Sequence, residues 1–204
     1  MLTLLLAGLL ATSVEVERVL AVVNDEAILT SDVQLAELAN LVPREQGETD
    51  KAYHGAVLEA LIELDLRWQD LESSGLSERV EADVDGAWAA AVKSAGGQDQ
   101  LDGRLREIGL PEVALRRLVR RAAIVQAYVS SHFAPFVRPT VDEIKAVYDR
   151  ELLPATRKAG EAVPELAAVR PQIEEIVRQR KLLAEVDRWT KELAARGQVV
   201  RYYR

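Results

Sequence analysis

The side chains that could transfer protons, attack a substrate or bind a metal are few and scattered along this 204-residue sequence. The chain has no cysteine, which excludes thiolate nucleophiles and cysteine-ligated metals. Its two histidines, His54 and His132, stand alone on predicted helices, without an HExxH pair. The triplet Ser130-Ser131-His132 lacks the strand-turn-helix context of a nucleophile elbow. We therefore expect satisfied or surface histidines, no catalytic residues and no metal.

Paired carboxylates, which could act as an acid and a base, have a simpler interpretation here. Asp142-Glu143 and Glu174-Glu175 fall at the starts of predicted helices, where negative charge interacts favourably with the helix dipole. The sequence also contains no Walker or GxGxxG motif for a nucleotide. These patterns predict a protein that is not an enzyme and that uses no cofactor.

Four arginines, Arg116, Arg117, Arg120 and Arg121, follow the turn residues Gly109-Leu110-Pro111 on one predicted helix. This arrangement is compatible with a helix-turn-helix whose arginines face DNA, with a solvated basic face, or with a surface for acidic segments of a partner. The formal net charge of -7 and the pI near 5.1 argue against nucleic acid. The solvated face is the favoured interpretation.

Aromatic side chains are the remaining candidates for a functional role. Long apolar helices must cover one another or leave a groove open to a partner. Core packing and exposure in such a groove are both compatible with each aromatic residue. The candidates for lining a groove are Tyr53, Trp68, Trp88, Tyr128, Phe133 and Phe136.

The elements that would position these residues are mainly helical. Apolar residues make up 49% of the chain but aromatics only 5%, and leucine, valine and alanine dominate, which favours packed helices over a large sheet. Apolar runs in residues 19–29, broken by Asn24-Asp25-Glu26, predict a small β-hairpin. Residues 198–203 return to a strand pattern, and we expect them to pair with the first strand. The predicted fold is mainly α with one small sheet.

Capping signals predict where the helices begin. Ser31 with Gln34 predicts the first helix, and Thr49 precedes the strongest apolar periodicity in the chain. Ser77 predicts a third helix, Pro111 opens a long one through residue 133, and Thr140-Val141-Asp142-Glu143 forms a capping box. Residues 154–164, rich in alanine and proline, predict a linker, and a last helix starts at Glu165 or Pro171.

The N-terminus predicts export. An uncharged apolar run in residues 2–11 precedes Ala11-Thr12-Ser13, a small-x-small triplet, so we expect a signal peptide over residues 1–13 with cleavage after Ser13. A buried first strand or helix is the alternative. No later segment reaches the roughly 20 apolar residues of a membrane span. The mature protein is therefore expected to be soluble.

The most specific stretch of the sequence is VERVLAVVNDEAILTSDV at residues 16–33. Four further stretches matter here: ALIELDL (60–66), EIGL (107–110), TVDEI (140–144) and PQIEEIVRQRK (171–181). Together these stretches resemble SurA-type periplasmic chaperones, that is, the SurA N-terminal domain family. The resemblance implies a helical chaperone domain over residues 14–153, a linker over 154–170, and a C-terminal helix and strand over 171–204 that complete the core.

The chain departs from that family in one respect that bears on its activity. Family members commonly carry parvulin-type prolyl isomerase domains, but only about 20 residues stand here in the corresponding place, between Glu151 and Pro171. The resemblance therefore implies a periplasmic holdase that works without ATP or isomerase activity. Its expected partners are unfolded exported polypeptides, outer-membrane proteins among them. The alternative is an adaptor or assembly subunit that binds one folded envelope protein.

Overall fold

A computed structural model of the chain describes residues 17–160 and 162–202. Helices dominate this part of the chain and accompany one small antiparallel sheet, which confirms the predicted mainly α fold. The predicted signal peptide, residues 1–13, lies outside the described residues. None of the described helices is long and apolar enough to cross a membrane.

The sheet joins the two ends of the described chain. Strands β1 (Val19–Val23), β2 (Glu26–Leu29) and β3 (Val199–Arg201) pair antiparallel in the order β2-β1-β3. Asn24 takes the left-handed conformation of the hairpin turn, with φ of 53°. Its backbone N–H donates to the Gln198 carbonyl at 2.7 Å, and its side-chain oxygen accepts from the Gln198 N–H at 2.8 Å. The predicted hairpin and the predicted pairing of the terminal strands are both confirmed.

The helices follow in chain order. They are α1 (Thr30–Leu38), α2 (Asp50–Ser73), α3 (Val84–Ser94), α4 (Gln98–Glu107), α5 (Glu112–Tyr128), α6 (Val141–Val147), α7 (Leu153–Ala159) and α8 (Leu166–Arg196). A π turn continues α5 over Val129–Phe133 and a second continues α6 over Tyr148–Leu152. Thr49 and Thr140 cap α2 and α6 as predicted, since each hydroxyl accepts a backbone N–H of the first turn.

Two predicted caps are wrong. Ser31 lies inside α1, because the Asp32 carboxylate accepts the Leu29 N–H at 2.8 Å and the helix starts at Thr30, two residues before the start that a Ser31 cap would give. Ser77 is buried in the turn after α2, where its N–H donates to the Leu71 carbonyl. The third helix begins instead at Val84, and Asp83 is its cap because the Asp83 carboxylate accepts the Gly86 N–H at 2.8 Å.

The segment predicted as a linker, residues 154–170, is largely helical. Pro154 sits in the first turn of α7, directly after the π turn that continues α6. Gly160 ends α7 with φ of 72°, a left-handed conformation that glycine adopts without strain. Helix α8 begins at Leu166, with Glu165 as its N-cap, so Pro171 lies within the helix rather than at its start.

The buried residues form three neighbouring clusters and one separate cluster. The main cluster packs the sheet and α1 on α2, the second joins α3, α4 and α5, and the third joins α2 and α5. We call these together the body. The fourth cluster lies between α6 and the start of α8, around Ile144, Ile173 and Val177. Helix α8, 31 residues and about 46 Å long, connects this arm (residues 138–178) to the body.

Candidate binding cleft

Three of the six aromatic candidates lie in three different parts of the body. Tyr53 is 7% exposed in the main cluster, and its hydroxyl donates to the Val42 carbonyl at 3.2 Å. Trp68 is 5% exposed between α2 and α5, with the Arg121 guanidinium over its ring. Trp88 is half-buried beside the second cluster. The structure does not bring these three rings together.

The other three candidates lie where α5 ends. Tyr128 meets Phe133 edge to face, with ring centroids 6.0 Å apart, and stacks on His132 at 4.8 Å. Trp189 of α8 contacts both Tyr128 and Phe133, at 5.4 and 5.5 Å. Such spacings are favourable for aromatic pairs. We call these four residues the aromatic cluster.

The backbone after Tyr128 directs the next apolar side chains apart. The π turn Val129–Phe133 is wider than an α turn, and Pro135, which lacks an N–H, lies in the single 3₁₀ turn that follows. The chain then becomes extended at Val137, which is buried. Phe136, one residue earlier, is 82% exposed. A large apolar side chain is therefore held in solvent beside the aromatic cluster.

A cleft of about 300 Å³ separates this segment from α8. Its residues are His132, Phe133, Phe136 and Val137 on one wall, with Lys181, Glu185 and Arg188 on the other. One wall is thus mainly apolar and aromatic, whereas the other carries the charged side chains of one α8 face. A cleft of this kind can cover an apolar side chain of a bound polypeptide, while the backbone of that polypeptide stays near polar groups.

The charged wall is largely paired within the protein. The Lys181 ammonium donates to both carboxylate oxygens of Glu143, at 2.8 and 3.0 Å, and to the Arg138 carbonyl at 3.0 Å. The hydrogen bonding from Lys181 to the Glu143 carboxylate lowers the pKa of Glu143 to about 2. Glu185 and Arg188 form an ion pair one turn further along α8. The cleft therefore offers an apolar wall beside charges that already have partners.

Trp189 connects the apolar wall of the cleft to the body. Its indole N–H donates to the Asp70 carboxylate of α2 at 3.1 Å, across 119 positions of sequence. Burial raises the pKa of Tyr128 in the same cluster. Neither Trp189 nor His132 is among the site residues predicted from the sequence. The chain positions of these two residues carry no signal of the aromatic cluster, because Trp189 meets Tyr128 and Phe133 only in the folded chain.

The four arginines of α5 are not one uniform basic face. Arg116 pairs with Glu112 at 2.5 Å and lies over the Trp88 ring at 3.9 Å. Arg121 forms ion pairs with Glu26 of β2 and Asp65 of α2. Two of the four are therefore used within the protein, whereas Arg117 and Arg120 are exposed.

Other groups with potential chemistry are dispersed. His54 Nε2 lies 3.1 Å from a carboxylate oxygen of Glu37, between α2 and α1. Burial raises the pKa of Glu37, and the nearby His54 opposes that rise. No group of three metal-binding side chains occurs within residues 17–160 and 162–202.

Comparison of the chain with known proteins adds no relative: no protein-family model matches it, and neither does any curated protein. The fold and the cleft are therefore the observations from which a function is argued.

Proposed function

We propose that this protein is an ATP-independent chaperone, a holdase that binds unfolded exported polypeptides in the cleft between the end of α5 and α8. The observation that carries the proposal is Phe136, 82% exposed at the apolar wall of the cleft. Exposed apolar groups that adjoin a concave surface are typical of sites that bind other polypeptides. The similarity of residues 16–33 to SurA-type chaperones supports the same class.

The chemistry of the cleft suits transient binding without an energy source. Covering one phenylalanine ring contributes at most about 1.5–3 kcal/mol. The charges of the opposite wall are paired within the protein, so they add little attraction for a client. Weak, mainly apolar contacts select for apolar segments rather than for one sequence, and they release a client as it folds. No catalytic step is part of this proposal.

The decisive variant is Phe136→Ala. Because the ring is exposed, its loss leaves the stability of the fold within about 0.5 kcal/mol. Loss of about 1.4 kcal/mol of contact with a client weakens binding about tenfold. Binding is measured by fluorescence anisotropy with labelled, permanently unfolded peptides, and holdase activity by light scattering of an aggregating client without nucleotide.

Tyr202→Ala is the matched control, since Tyr202 is also aromatic and 60% exposed but lies beyond β3. We expect this variant to bind peptides as the unmodified protein does. Equal weakening in both variants would locate binding elsewhere than in the cleft. Aggregation of the client at its normal rate with excess protein would refute the holdase.

The proposal includes export to the periplasm through a signal peptide over residues 1–13. Cell fractionation and N-terminal sequencing test it, with Val14 expected as the first residue of the mature chain. A chain that stays in the cytoplasm with residues 1–13 attached would contradict this part of the proposal alone.

A second candidate is an adaptor that binds one folded envelope protein. It is favoured by an apolar cavity of about 320 Å³ on the arm, between Val141 and Ile144 of α6 and Leu166 of α8. Val141 is 68% exposed at its rim. A fixed pocket of this kind suits one shape-matched side chain. Binding to many unrelated unfolded peptides favours the holdase, whereas binding to one folded protein, weakened by Val141→Ser, favours the adaptor.

A further inference from the structure

A second apolar recess lies nearer the start of α8 than the cleft does. It is the cavity of about 320 Å³ on the arm, which we call the arm cavity. Its α8 wall lies at residues 166–170, whereas the α8 wall of the cleft lies at residues 181–188. Each recess has one large apolar side chain exposed at its rim, Phe136 at the cleft and Val141 at the arm cavity.

The two recesses open on the same face of α8. Arg170 lines the arm cavity, and Lys181 and Arg188 line the cleft. These three residues are 11 and 7 positions apart, close to three and two whole turns of 3.6 residues, so their side chains leave the helix in the same direction. Helix α6 packs on α8 between the recesses, at Ile173 and Val177. A single bound chain can therefore pass over α6 from one recess to the other.

The distance between the recesses suits an extended polypeptide. Phe136 and Val141 are five positions apart, so their Cα atoms lie at most about 17 Å from each other. Along α8, the middles of the two walls are about 17 residues apart, which is about 25 Å at 1.5 Å per residue. An extended chain rises about 3.3 Å per residue, so about five to eight residues span these distances.

Arg138 adds an unpaired positive charge between Phe136 and Val141. The residue is exposed, and its carbonyl accepts from the Lys181 ammonium. Within residues 17–160 and 162–202 its guanidinium forms no ion pair. The cations that line the two recesses differ in this respect, because they pair as Arg170–Glu174, Lys181–Glu143 and Arg188–Glu185. A carboxylate of a bound chain is therefore complementary to Arg138.

We propose that the cleft and the arm cavity together bind one extended client segment. Such a segment carries two large apolar residues about five to eight positions apart and an acidic residue between them. One apolar side chain enters the cleft beside Phe136, the other enters the arm cavity beside Val141, and the carboxylate meets Arg138. This inference rests on the proposed holdase, because it specifies which client segments the holdase selects.

Synthetic peptides of polar, unstructured sequence test the spacing. One peptide carries a single leucine, and two others carry two leucines separated by three or by six positions. A separation of three spans only about 10 Å and cannot reach both recesses, whereas a separation of six spans about 20 Å. In fluorescence anisotropy the six-spaced peptide should bind about tenfold more tightly than the other two, because its second contact is intramolecular.

Variants of the protein test the arm cavity and Arg138 separately. Val141→Ser should abolish the tenfold gain of the six-spaced peptide. Val113→Ser is the matched control and should retain the gain, since Val113 is also an exposed valine, 61% accessible, but lies on α5. Arg138→Gln should remove a preference for aspartate over lysine between the two leucines. Arg120→Gln, at an exposed position of α5, should keep that preference.

The outcomes distinguish this inference from the holdase itself. Equal binding of the three-spaced and six-spaced peptides, or an unchanged gain in Val141→Ser, would overturn the inference, and the holdase would stand if Phe136→Ala still weakens all peptides. No effect of Phe136→Ala on any peptide would refute the cleft as a client site and the inference with it. A dimer in sedimentation equilibrium that Val141→Ser dissociates would assign the arm cavity to a second copy of this chain and overturn the inference alone.

Discussion

Replacing Trp189 tests whether the cleft depends on the contact between α8 and the body. The indole makes two kinds of contact there. Its N–H donates to the Asp70 carboxylate, and its ring meets Tyr128 and Phe133. Trp189→Phe removes the first contact and keeps most of the second, whereas Trp189→Leu removes both. The difference between the two variants therefore isolates the aromatic contacts.

The expected magnitudes follow from these contacts. A hydrogen bond to a charged acceptor is worth about 1.5–3 kcal/mol. Asp70 lines a surface hollow, so water replaces part of the lost donor, and we expect about 1.5 kcal/mol for Trp189→Phe. Two aromatic pairs add about 0.5–1.5 kcal/mol each. Trp189→Leu should therefore lower the free energy of unfolding by about 2.5–4.5 kcal/mol.

Urea unfolding followed by circular dichroism measures both losses without relying on tryptophan fluorescence. Trp88→Phe is the matched control, because Trp88 is also half-buried but no hydrogen bond of its indole N–H connects it to α8. This control should cost less than about 1 kcal/mol. Equal costs for Trp88→Phe and Trp189→Phe, or no extra cost for Trp189→Leu, would refute the reasoning. Under the holdase proposal Trp189→Leu also weakens peptide binding, since Phe133 loses its support.

Two further predictions concern the sheet and the arm. Deleting residues 198–204 removes the ladder between β3 and β1 and the paired Arg201–Glu59 contacts at 2.7 Å, so the free energy of unfolding should fall by at least about 3 kcal/mol, measured by urea titration; an unchanged midpoint would contradict this. The pKa of Glu143 is held at about 2, so its stabilising effect on the arm should be complete above its ordinary value of 4.5 and be lost as the pH falls from there towards 2. Thermal unfolding between these pH values should show a smaller loss in Glu143→Gln, and an equal loss would exclude this cause.

Local sequence signals predicted most of the fold. The hairpin, the α2 periodicity and the Thr140 capping box each depend on residues within a few positions of one another, so they can be identified without tertiary structure. The start of α3 could not be identified in this way. Ser77 and Asp83 are both good caps, and Ser77 is excluded only because its N–H bonds back to the end of α2. The turn after α2 therefore decides which of these two residues caps α3.

The residue types in the sequence identified aromatic candidates for the cleft, but they could not show which of these residues line it. As residue types Tyr53, Trp68 and Phe136 are alike, yet the first two are buried and the third, outside the predicted helices, is exposed. Which ring is covered depends on how α2, α5 and α8 pack, and these elements are far apart in sequence. Trp189 shows the same limit, since its partner Asp70 lies 119 positions away.

The position of the cleft follows from how α8 is anchored. Val177 lies in the small core of the arm and Val186 is buried further along α8, and no residue of the described stretch 178–185 between them is fully buried. A helix that spans two cores needs its apolar stripe only where it meets each of them. Helix α5 ends before it covers this middle stretch, and the turns after it bring Phe133 and Phe136 alongside. The apolar wall of the cleft is therefore surface that the fold does not cover, which is why Phe136 can be changed at little cost to stability and why we expect the change to affect binding.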